Sequence, residues 1–272
     1  MQLDHRLVAD RDRPGAWFVR SDGADQSFVD PDDPTYLEFY YVQRIADVID
    51  TSFAPGQRIR AIHIGGAGMT IPRYIAHTRP TSAQIVFEPD TSLTEAVRQA
   101  IPLPKRSGIK VRPVDGLSGL SALRDSFAEL AVVDAYLQAQ VPAELATSQC
   151  QNQLKRVLGP SGTMVMNTTD HAPFAYARRL VASVCHNFAT VALACEPAVW
   201  RGRRFGNLVV AAGQINLEGL AERARLAAFG SRLIAGPELV QWIGSAKPFT
   251  TEDSLPSPPP PGGWMGVVPK VT

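Results

Sequence analysis

Three acidic residues follow apolar runs of the chain and are the first candidates for chemistry. Glu88 closes the run in "AQIVFEPD", Asp115 the run in "GIKVRPVDG" and Asp134 the run in "AELAVVDAY". Runs of this composition are typical of buried parallel strands, so the three carboxylates are expected at one edge of one sheet. Alternatively, each acid serves only as the N-terminal cap of the helix that follows it. Together they indicate a bound ligand, because the repulsion between clustered carboxylates must be offset.

A cluster of glycines marks another strand end, in the stretch "IHIGGAGMTIPRYI". Gly65, Gly66 and Gly68 lie where a strand pattern changes to a helix pattern, and glycine weakens both kinds of element. Such a cluster is typical of a turn whose backbone approaches a ligand closely, although tight turns alone also use glycine. The spacing differs from the G-x-G-x-x-G of a dinucleotide-binding turn.

The separation between the glycines and the first acid favours a nucleoside as the ligand. Glu88 lies 20 residues beyond Gly68, a separation at which an acid takes up ribose hydroxyls. Asp115 is then placed to accept a hydrogen bond from the exocyclic amine of adenine, and Asp134 lies nearest the reacting end. Because the turn is not built for a pyrophosphate, a nucleoside with an amino-acid or aminopropyl arm fits better than NAD.

Strand and helix patterns alternate along the chain and determine where these residues meet. Strand patterns cover 58–64, 83–90, 108–116, 128–136, 163–170, 189–195 and 205–213. Helix patterns stand between them, and another covers 34–53, with Pro34 in its first turn. Thr91 or Ser92 is expected to cap the helix that follows Glu88. The alternation predicts a Rossmann-like, doubly wound α/β sheet that is mostly parallel, with an antiparallel edge strand near its end.

Composition divides the chain into three parts. Residues 1–35 are predicted to form a short N-terminal β-hairpin region, and residues 36–230 a Rossmann-like nucleoside-binding catalytic domain. Residues 231–272 form a C-terminal extension with a Pro- and Gly-rich tail, which is expected to be an extended arm.

The charge balance excludes several classes of partner. The 272 residues carry a formal net charge of +1 without a block of like charges, so neither nucleic acid nor a membrane is expected as a partner. The first residues are charged where a secretory signal needs an apolar core, which predicts a cytoplasmic protein. The three cysteines and five histidines are scattered, and no metal site is predicted.

Taken together, the motifs resemble the spermidine synthase (polyamine aminopropyltransferase) family. The stretches "IHIGGAGMTIPRY", "IVFEPD", "VDG" and "LAVVDAYLQAQVPAELAT" have the order and spacing of that family, and the similarity spans residues 26–213. The resemblance implies a class I S-adenosylmethionine-dependent methyltransferase fold. It also implies a homodimer, which the apolar helix pattern around Leu37, Tyr41 and Ile45 favours as well.

The resemblance implies a role for each candidate residue. The co-substrate, S-adenosylmethionine or its decarboxylated form, would be held by Gln26, Gly65, Gly66, Gly68, Glu88, Asp115 and Gly116. Asp134 would be the base that deprotonates the attacking amine, and Tyr36, Tyr136 and Leu137 would contact this small-molecule acceptor. A base is needed because an alkylamine with a pKa near 10 is only about one part in a thousand neutral at pH 7.

Three positions depart from the family's pattern. The glycine turn has no aspartate at 67–69, Leu37 replaces the histidine of a Tyr-His-Glu triplet, and Leu137 replaces a second aspartate three residues after Asp134. Losing a carboxylate opposite a buried ammonium costs about 3–5 kcal/mol. A standard putrescine site is therefore expected to be impaired.

Three functions remain open at this stage. The first is an aminopropyltransferase-like reaction on an amine in polyamine metabolism, and the second is a methyltransferase on the same fold. The third is a non-catalytic protein that binds a nucleoside or a polyamine, or acts as a dimerisation partner. Leu37 and Leu137 favour the third over the first, whereas Asp134 has little use without chemistry. The first is ranked slightly ahead.

Overall fold

The N-terminal strand patterns form a small antiparallel sheet in the computed structural model, which describes residues 6–21 and 24–261. Its strands are β1 (Leu7–Ala9), β2 (Trp17–Ser21) and β3 (Ala24–Val29), in that order. Strand β1 pairs with β2 and so adds a third strand to the predicted hairpin.

The other strands form one mixed sheet of eight. They are β4 (Arg60–Ile64), β5 (Ala83–Phe87), β6 (Ile109–Arg112), β7 (Leu130–Val133), β8 (Thr163–Asp170), β9 (Val191–Cys195), β10 (Gly206–Gly213) and β11 (Arg232–Ala235). The spatial order is β11-β9-β10-β8-β7-β4-β5-β6. Strands β4 to β8 pair in parallel, whereas β10 is antiparallel to both β8 and β9. The predicted fold class is confirmed. The strand order reverses between β4 and β7, where open sheets of this kind bind ligands.

Helices cover both faces of this sheet. They are α1 (Tyr40–Ser52), α2 (Thr70–Thr78), α3 (Thr91–Ala100), α4 (Gly116–Ser121), α5 (Ser148–Leu158), α6 (Ala175–Asn187), α7 (Pro197–Trp200), α8 (Leu217–Leu226) and α9 (Gly236–Ile243), with a 3-10 helix at Ala143–Ala146. Side chains alternate along each strand. Ile62 and Ile64 pack toward α5 and α6, whereas Ala61 and Val132 pack toward α1 and α2. Among the described residues, no helix combines the length and the apolar character that crossing a bilayer requires.

Helix α1 begins at Tyr40, so the predicted start at Pro34 is wrong. The preceding residue, Phe39, has extended backbone angles. The loop before it is fixed by side chains, since the Gln43 amide donates to the carbonyl oxygen of Leu37 at 2.7 Å. The apolar face of α1 packs on the sheet, where Ile45 is fully buried. This face therefore gives no argument for a dimer.

Helix α3 is capped one residue earlier than predicted. The side chain of Asp90, rather than Thr91 or Ser92, accepts a hydrogen bond from the backbone of Leu93 at 2.8 Å. A carboxylate directly before the helix satisfies one of its free N–H groups and complements its dipole.

The C-terminal region adds two elements that the sequence analysis did not predict. Strand β11 pairs with β9 at the edge of the sheet, and α9 follows it. Beyond them, Ser257 is fully buried against the loop that follows β7. Its N–H donates to the carbonyl oxygen of Val141 at 3.1 Å, and its hydroxyl accepts from the N–H of Val141 at 2.8 Å. The rest of the predicted arm, residues 262–272, lies outside the described residues, and the division into three parts stays a prediction.

Candidate functional site

A cleft of about 340 Å³ opens at the carboxyl ends of β4, β5 and β7, beside the N-terminal sheet. Most of the predicted site residues line it: Gln26, Gly65, Gly66, Glu88, Asp115, Gly116, Asp134, Tyr136 and Leu137. Gly68 and Tyr36 are not among the described residues that line the cleft. The chain thus brings three acidic strand ends and the glycine turn to one place, although their roles stay predictions.

The glycine turn is tightly packed against the neighbouring strands. Gly65 has a φ of +83°, and a Cβ atom there would overlap the carbonyl oxygen of Asp134. A Cβ atom on Gly66 would overlap the side chain of Val86. The next residues also strain the backbone, since Ala67 has a φ of 29° and Met69 one of 59°. Such left-handed angles in residues other than glycine persist only where the surroundings impose them.

Glu88 holds the turn in this shape. One carboxylate oxygen accepts from the N–H groups of Gly66 at 3.1 Å and Ala67 at 3.4 Å, and the other accepts from Asp90 N–H at 3.0 Å. A carboxylate offers about four acceptor sites. Glu88 is therefore fixed beside the cleft and keeps acceptor capacity for a ligand hydroxyl.

Asp115 both caps a helix and borders the cleft. Its two carboxylate oxygens accept from the backbone N–H of Ser118 at 2.9 Å and from the Ser118 hydroxyl at 2.6 Å. These bonds lower the pKa of Asp115. Gly116 lies beside it, and Pro142 and Leu145 also line the cleft. An acid next to small and apolar surfaces suits a flat base with an exocyclic amine.

Gly68 and Tyr36 contact the N-terminal sheet. The N–H of Gly68 donates to the Ser27 hydroxyl at 3.2 Å, and a Cβ atom at Gly68 would overlap Val29 and Ser27. The absence of a side chain therefore lets the N-terminal sheet dock on the turn. Tyr36 packs its ring against Phe28 at a centroid distance of 5.7 Å.

Asp134 lies at the floor of the cleft with neutral partners. The Asn167 amide donates to its carboxylate at 2.9 Å, and the Asn207 amide in turn donates to Asn167 at 3.0 Å. Burial raises the pKa of Asp134 to about 6, although hydrogen bonds from Asn167 and Tyr41 oppose the rise. A carboxylate that takes up a proton near neutral pH has the property of a general base.

The sequence analysis missed the residues that surround Asp134. Tyr41, Asn167 and Asn207 come from α1, β8 and β10, which are far apart in the chain. A signal was present in β8, "TMVMNTTD", because all eight of its residues are buried. Polar side chains inside such a strand must find partners.

Tyr136 and Leu137 lead from Asp134 to the mouth of the cleft. Burial and the charge of Asp134 raise the pKa of Tyr136 well above its usual value. Leu137 is 69% exposed and opens a tight hairpin in which Leu137 and Gln140 exchange backbone hydrogen bonds at 2.9 and 3.1 Å. The two residues between them, 138 and 139, have left-handed φ angles of 52° and 59°. Gln140 donates to the carbonyl oxygen of Ser257, so the tail fixes the base of this hairpin.

The charged side chains that line the cleft are all acidic. They are Glu88, Asp90, Asp115, Asp134 and Glu144, and of these Asp90 pairs with Arg6 at 3.1 Å. Within the described part of the chain, the lining contains neither lysine nor arginine. Such a surface favours a cationic ligand and disfavours a carboxylate.

Comparisons with known proteins define the fold. The sequence matches no protein-family model and no curated protein. The crystal structure of a probable spermidine synthase from Corynebacterium glutamicum is 22% identical over 90% of this chain and 91% of its own, with a TM-score of 0.83.

Two further structures hold ligands. A spermidine synthase in complex with the transition-state analogue AdoDATO is 13% identical over 91% of this chain and 77% of its own, with a TM-score of 0.54. Human methyltransferase-like protein 13 in complex with SAH is 14% identical over 77% of this chain and 93% of its own, with a TM-score of 0.53. The chain therefore has the class I methyltransferase fold. The form of that fold is spermidine synthase-like, with a small N-terminal sheet beside the cleft.

Proposed function

We propose that this protein transfers an aminopropyl group from decarboxylated S-adenosylmethionine to an amine acceptor. The observation that carries the proposal is the cleft's lining, which has five carboxylates, no lysine or arginine among the described residues, and a buried acid with a pKa raised to about 6. Both the aminopropyl arm and the acceptor are cationic amines, which this surface attracts.

The same observation favours the decarboxylated co-substrate over intact S-adenosylmethionine. The intact molecule carries a carboxylate, which needs a cation or free N–H groups. Two N–H groups of the glycine turn, those of Gly66 and Ala67, already bind Glu88. An unpaired carboxylate would face the acidic lining, and desolvating a charge without a partner is costly. The alternative of a methyltransferase is therefore less well supported.

The cleft residues suit the nucleoside. Glu88 would accept from the ribose hydroxyls, and Asp115 from the exocyclic amine of adenine. Pro142 and Leu145 would lie against the base. The structures that hold SAH and AdoDATO have the same fold and so support a nucleoside of this type.

The chemical step needs a neutral amine beside Asp134. When bound, the sulfonium of the co-substrate supplies a carbon that an amine can attack, and the carbon–sulfur bond breaks to leave methylthioadenosine. Asp134 accepts one proton from the ammonium of the acceptor, and the nitrogen, now neutral, attacks that carbon and leaves as a secondary ammonium. Neutralising an alkylamine at pH 7 costs roughly 4 kcal/mol, and a nearby carboxylate reduces that cost. Asn167 keeps the carboxylate oriented.

Calorimetry with methylthioadenosine, decarboxylated S-adenosylmethionine and S-adenosylmethionine tests the proposal. We expect the first two to bind and the third to bind more weakly. Glu88→Ala should weaken nucleoside binding about tenfold to a hundredfold, since a hydrogen bond to a charged group contributes roughly 1.5–3 kcal/mol. Asp125→Ala is the matched control, because Asp125 pairs with Arg156 and does not line the cleft.

Three outcomes would contradict the proposal. Absence of heat with methylthioadenosine at millimolar concentration would remove the nucleoside site. Tighter binding of S-adenosylmethionine than of its decarboxylated form, without product from any amine, would favour the methyltransferase. If methylthioadenosine binds but no amine yields product, the non-catalytic alternative gains.

A further inference from the structure

His63 lines the cleft although it lies inside strand β4. The residue is 2% exposed, and its ring nitrogen Nδ1 is buried without a hydrogen-bond partner among the described residues. Buried polar atoms are nearly always paired, with protein, water or a ligand. The sequence analysis did not include His63 in the site, and the proposed reaction does not use it.

The hydrogen bonds around His63 determine which ring nitrogen carries the proton. The Gln84 amide nitrogen donates to the carbonyl oxygen of Pro72 at 2.9 Å, so the Gln84 amide oxygen must face His63. That oxygen lies 2.9 Å from Nε2 of His63 and can only accept. Nε2 therefore carries the proton, and Nδ1 is a bare acceptor.

The position of His63 relates it to Asp134. In the parallel pair of β4 and β7, His63 is opposite Val132, and Asp134 follows two residues later on the same face. Two residues of a strand span about 6.6 Å. The cleft between them is walled by apolar side chains, since Val42, Ile71 and Val132 line it. We call this part of the cleft the inner lobe.

We propose that the inner lobe binds the far end of the acceptor, and that the acceptor is an amine with an apolar body and a neutral donor, a hydroxyl or an amide N–H, that binds Nδ1 of His63. This inference rests on the proposed function, because it places the reacting nitrogen at Asp134. The aminopropyl transfer step proposed above is unchanged.

A neutral donor fits the inner lobe better than a second ammonium. His63 stays neutral at pH 7, because burial lowers its pKa to about 4. The residues that wall the inner lobe, Val42, Ile71 and Val132, offer no carboxylate of their own to a second ammonium. A buried ammonium without a carboxylate of its own carries a large desolvation cost, whereas a hydroxyl needs only one acceptor.

Three amines with the same four-carbon chain test this inference on the parent protein. They are butylamine, 4-amino-1-butanol and 1,4-diaminobutane, titrated in the presence of saturating methylthioadenosine. We expect 4-amino-1-butanol to bind about fivefold more tightly than butylamine, as one net hydrogen bond allows. We expect 1,4-diaminobutane to bind more weakly than the amino alcohol. Equal affinities of butylamine and 4-amino-1-butanol would overturn the inference.

Variants at His63 supply the second test. His63→Leu should remove the preference for 4-amino-1-butanol over butylamine and leave methylthioadenosine binding within about twofold of the parent. His63→Asn, whose amide oxygen can replace Nδ1 as an acceptor, should restore part of the preference for 4-amino-1-butanol. Ile62→Val is the control, because Ile62 is on the same strand but packs on the opposite face. A preference that survives in His63→Leu would also overturn the inference.

The experiment separates this inference from the proposed function. If methylthioadenosine does not bind to the parent, the amines are titrated alone. If 4-amino-1-butanol then binds more tightly than the other two amines, and this preference depends on His63, the result supports an amine site without the transferase. If the three amines bind equally well while methylthioadenosine binds and product forms, the proposed transferase stands and only the role of His63 is removed.

Discussion

Asp134 has an unusual environment for a buried acid, because its hydrogen-bond partners are neutral. Asn167 donates to it, and the Tyr41 hydroxyl, which donates to the carbonyl oxygen of Gln26 at 3.3 Å, lies nearby. An arginine in the same place would lower its pKa and make it a poor proton acceptor. Asn167 orients the carboxylate without a compensating charge. The residue thus keeps a proton affinity matched to work near neutral pH.

Replacement of Asp134 by asparagine should stabilise the fold at alkaline pH. The pKa rises from 3.8 to about 6 in the folded chain, so the folded state binds more protons than the unfolded state between these values. The free energy of unfolding therefore falls as pH rises through this window. At pH 8, Asp134→Asn should be more stable than the parent by about 1–3 kcal/mol. Urea unfolding at pH 4 and pH 8 measures the difference.

The difference in the free energy of unfolding between the parent and Asp134→Asn should disappear at pH 4, where Asp134 is protonated in the folded chain. A gap of the same size at both pH values would show that the charge is not the cause. Under the proposed function, the same variant should abolish turnover with nucleoside binding nearly unchanged, since a general base acts in the transition state.

The glycine turn shows how an element can require one residue type. Gly65 needs both a positive φ and the absence of a Cβ atom, whereas Gly56 has a φ of +75° with open space around it. Gly65→Ala should lower the free energy of unfolding by about 2–5 kcal/mol, from left-handed strain and overlap together. Gly56→Ala should cost only the strain, about 1–2 kcal/mol. Urea unfolding compares the two, and equal losses would contradict the overlap.

The sequence predicted the parallel strands and their ends well for a physical reason. Buried strands such as β4, β5 and β7 are largely apolar, and the buried polar residues His63 and Gln84 pair with each other. The end of each apolar run therefore marks the edge of the sheet where ligands bind. The alternation of apolar and polar residues did not predict β11 and α9, because a strand that pairs at the edge of a sheet needs only four residues. It also failed for the partners of Asp134, since residues as distant as Tyr41 and Asn207 meet only after folding.

At the scale of the whole molecule, a homodimer stays a prediction that rests on resemblance. One candidate surface for it lies at β11. Strand β11 is one of the two edge strands of the large sheet. The turn before it and helix α9 after it carry exposed apolar side chains, with Phe229 73% and Val240 68% exposed. Exposed strand edges and apolar patches are usually covered by another part of the protein or by a partner, here a second copy of the chain.

Light scattering tests the dimer and this surface together. We expect a mass of twice the 29.5 kDa of one chain. Phe229→Glu should shift the mass toward the single chain, because a charge in an apolar interface is costly. Leu255→Glu is the control, since Leu255 is also exposed but lies in the tail. A single-chain mass for the parent at high concentration would refute the dimer.

The contact between Ser257 and the hairpin has a consequence for the order in which the molecule is made. Ribosomes deliver the chain from its N-terminus, and early segments begin to fold before later ones arrive. Ser257 is added 116 residues after Val141, the residue it holds. The end of the cleft that contains Glu88 and Asp115 is lined only by residues made earlier, whereas the hairpin near Leu137 is fixed only once the tail has docked. Under the proposed function, a nascent chain halted before Ser257 should capture methylthioadenosine before the mouth of the cleft has formed.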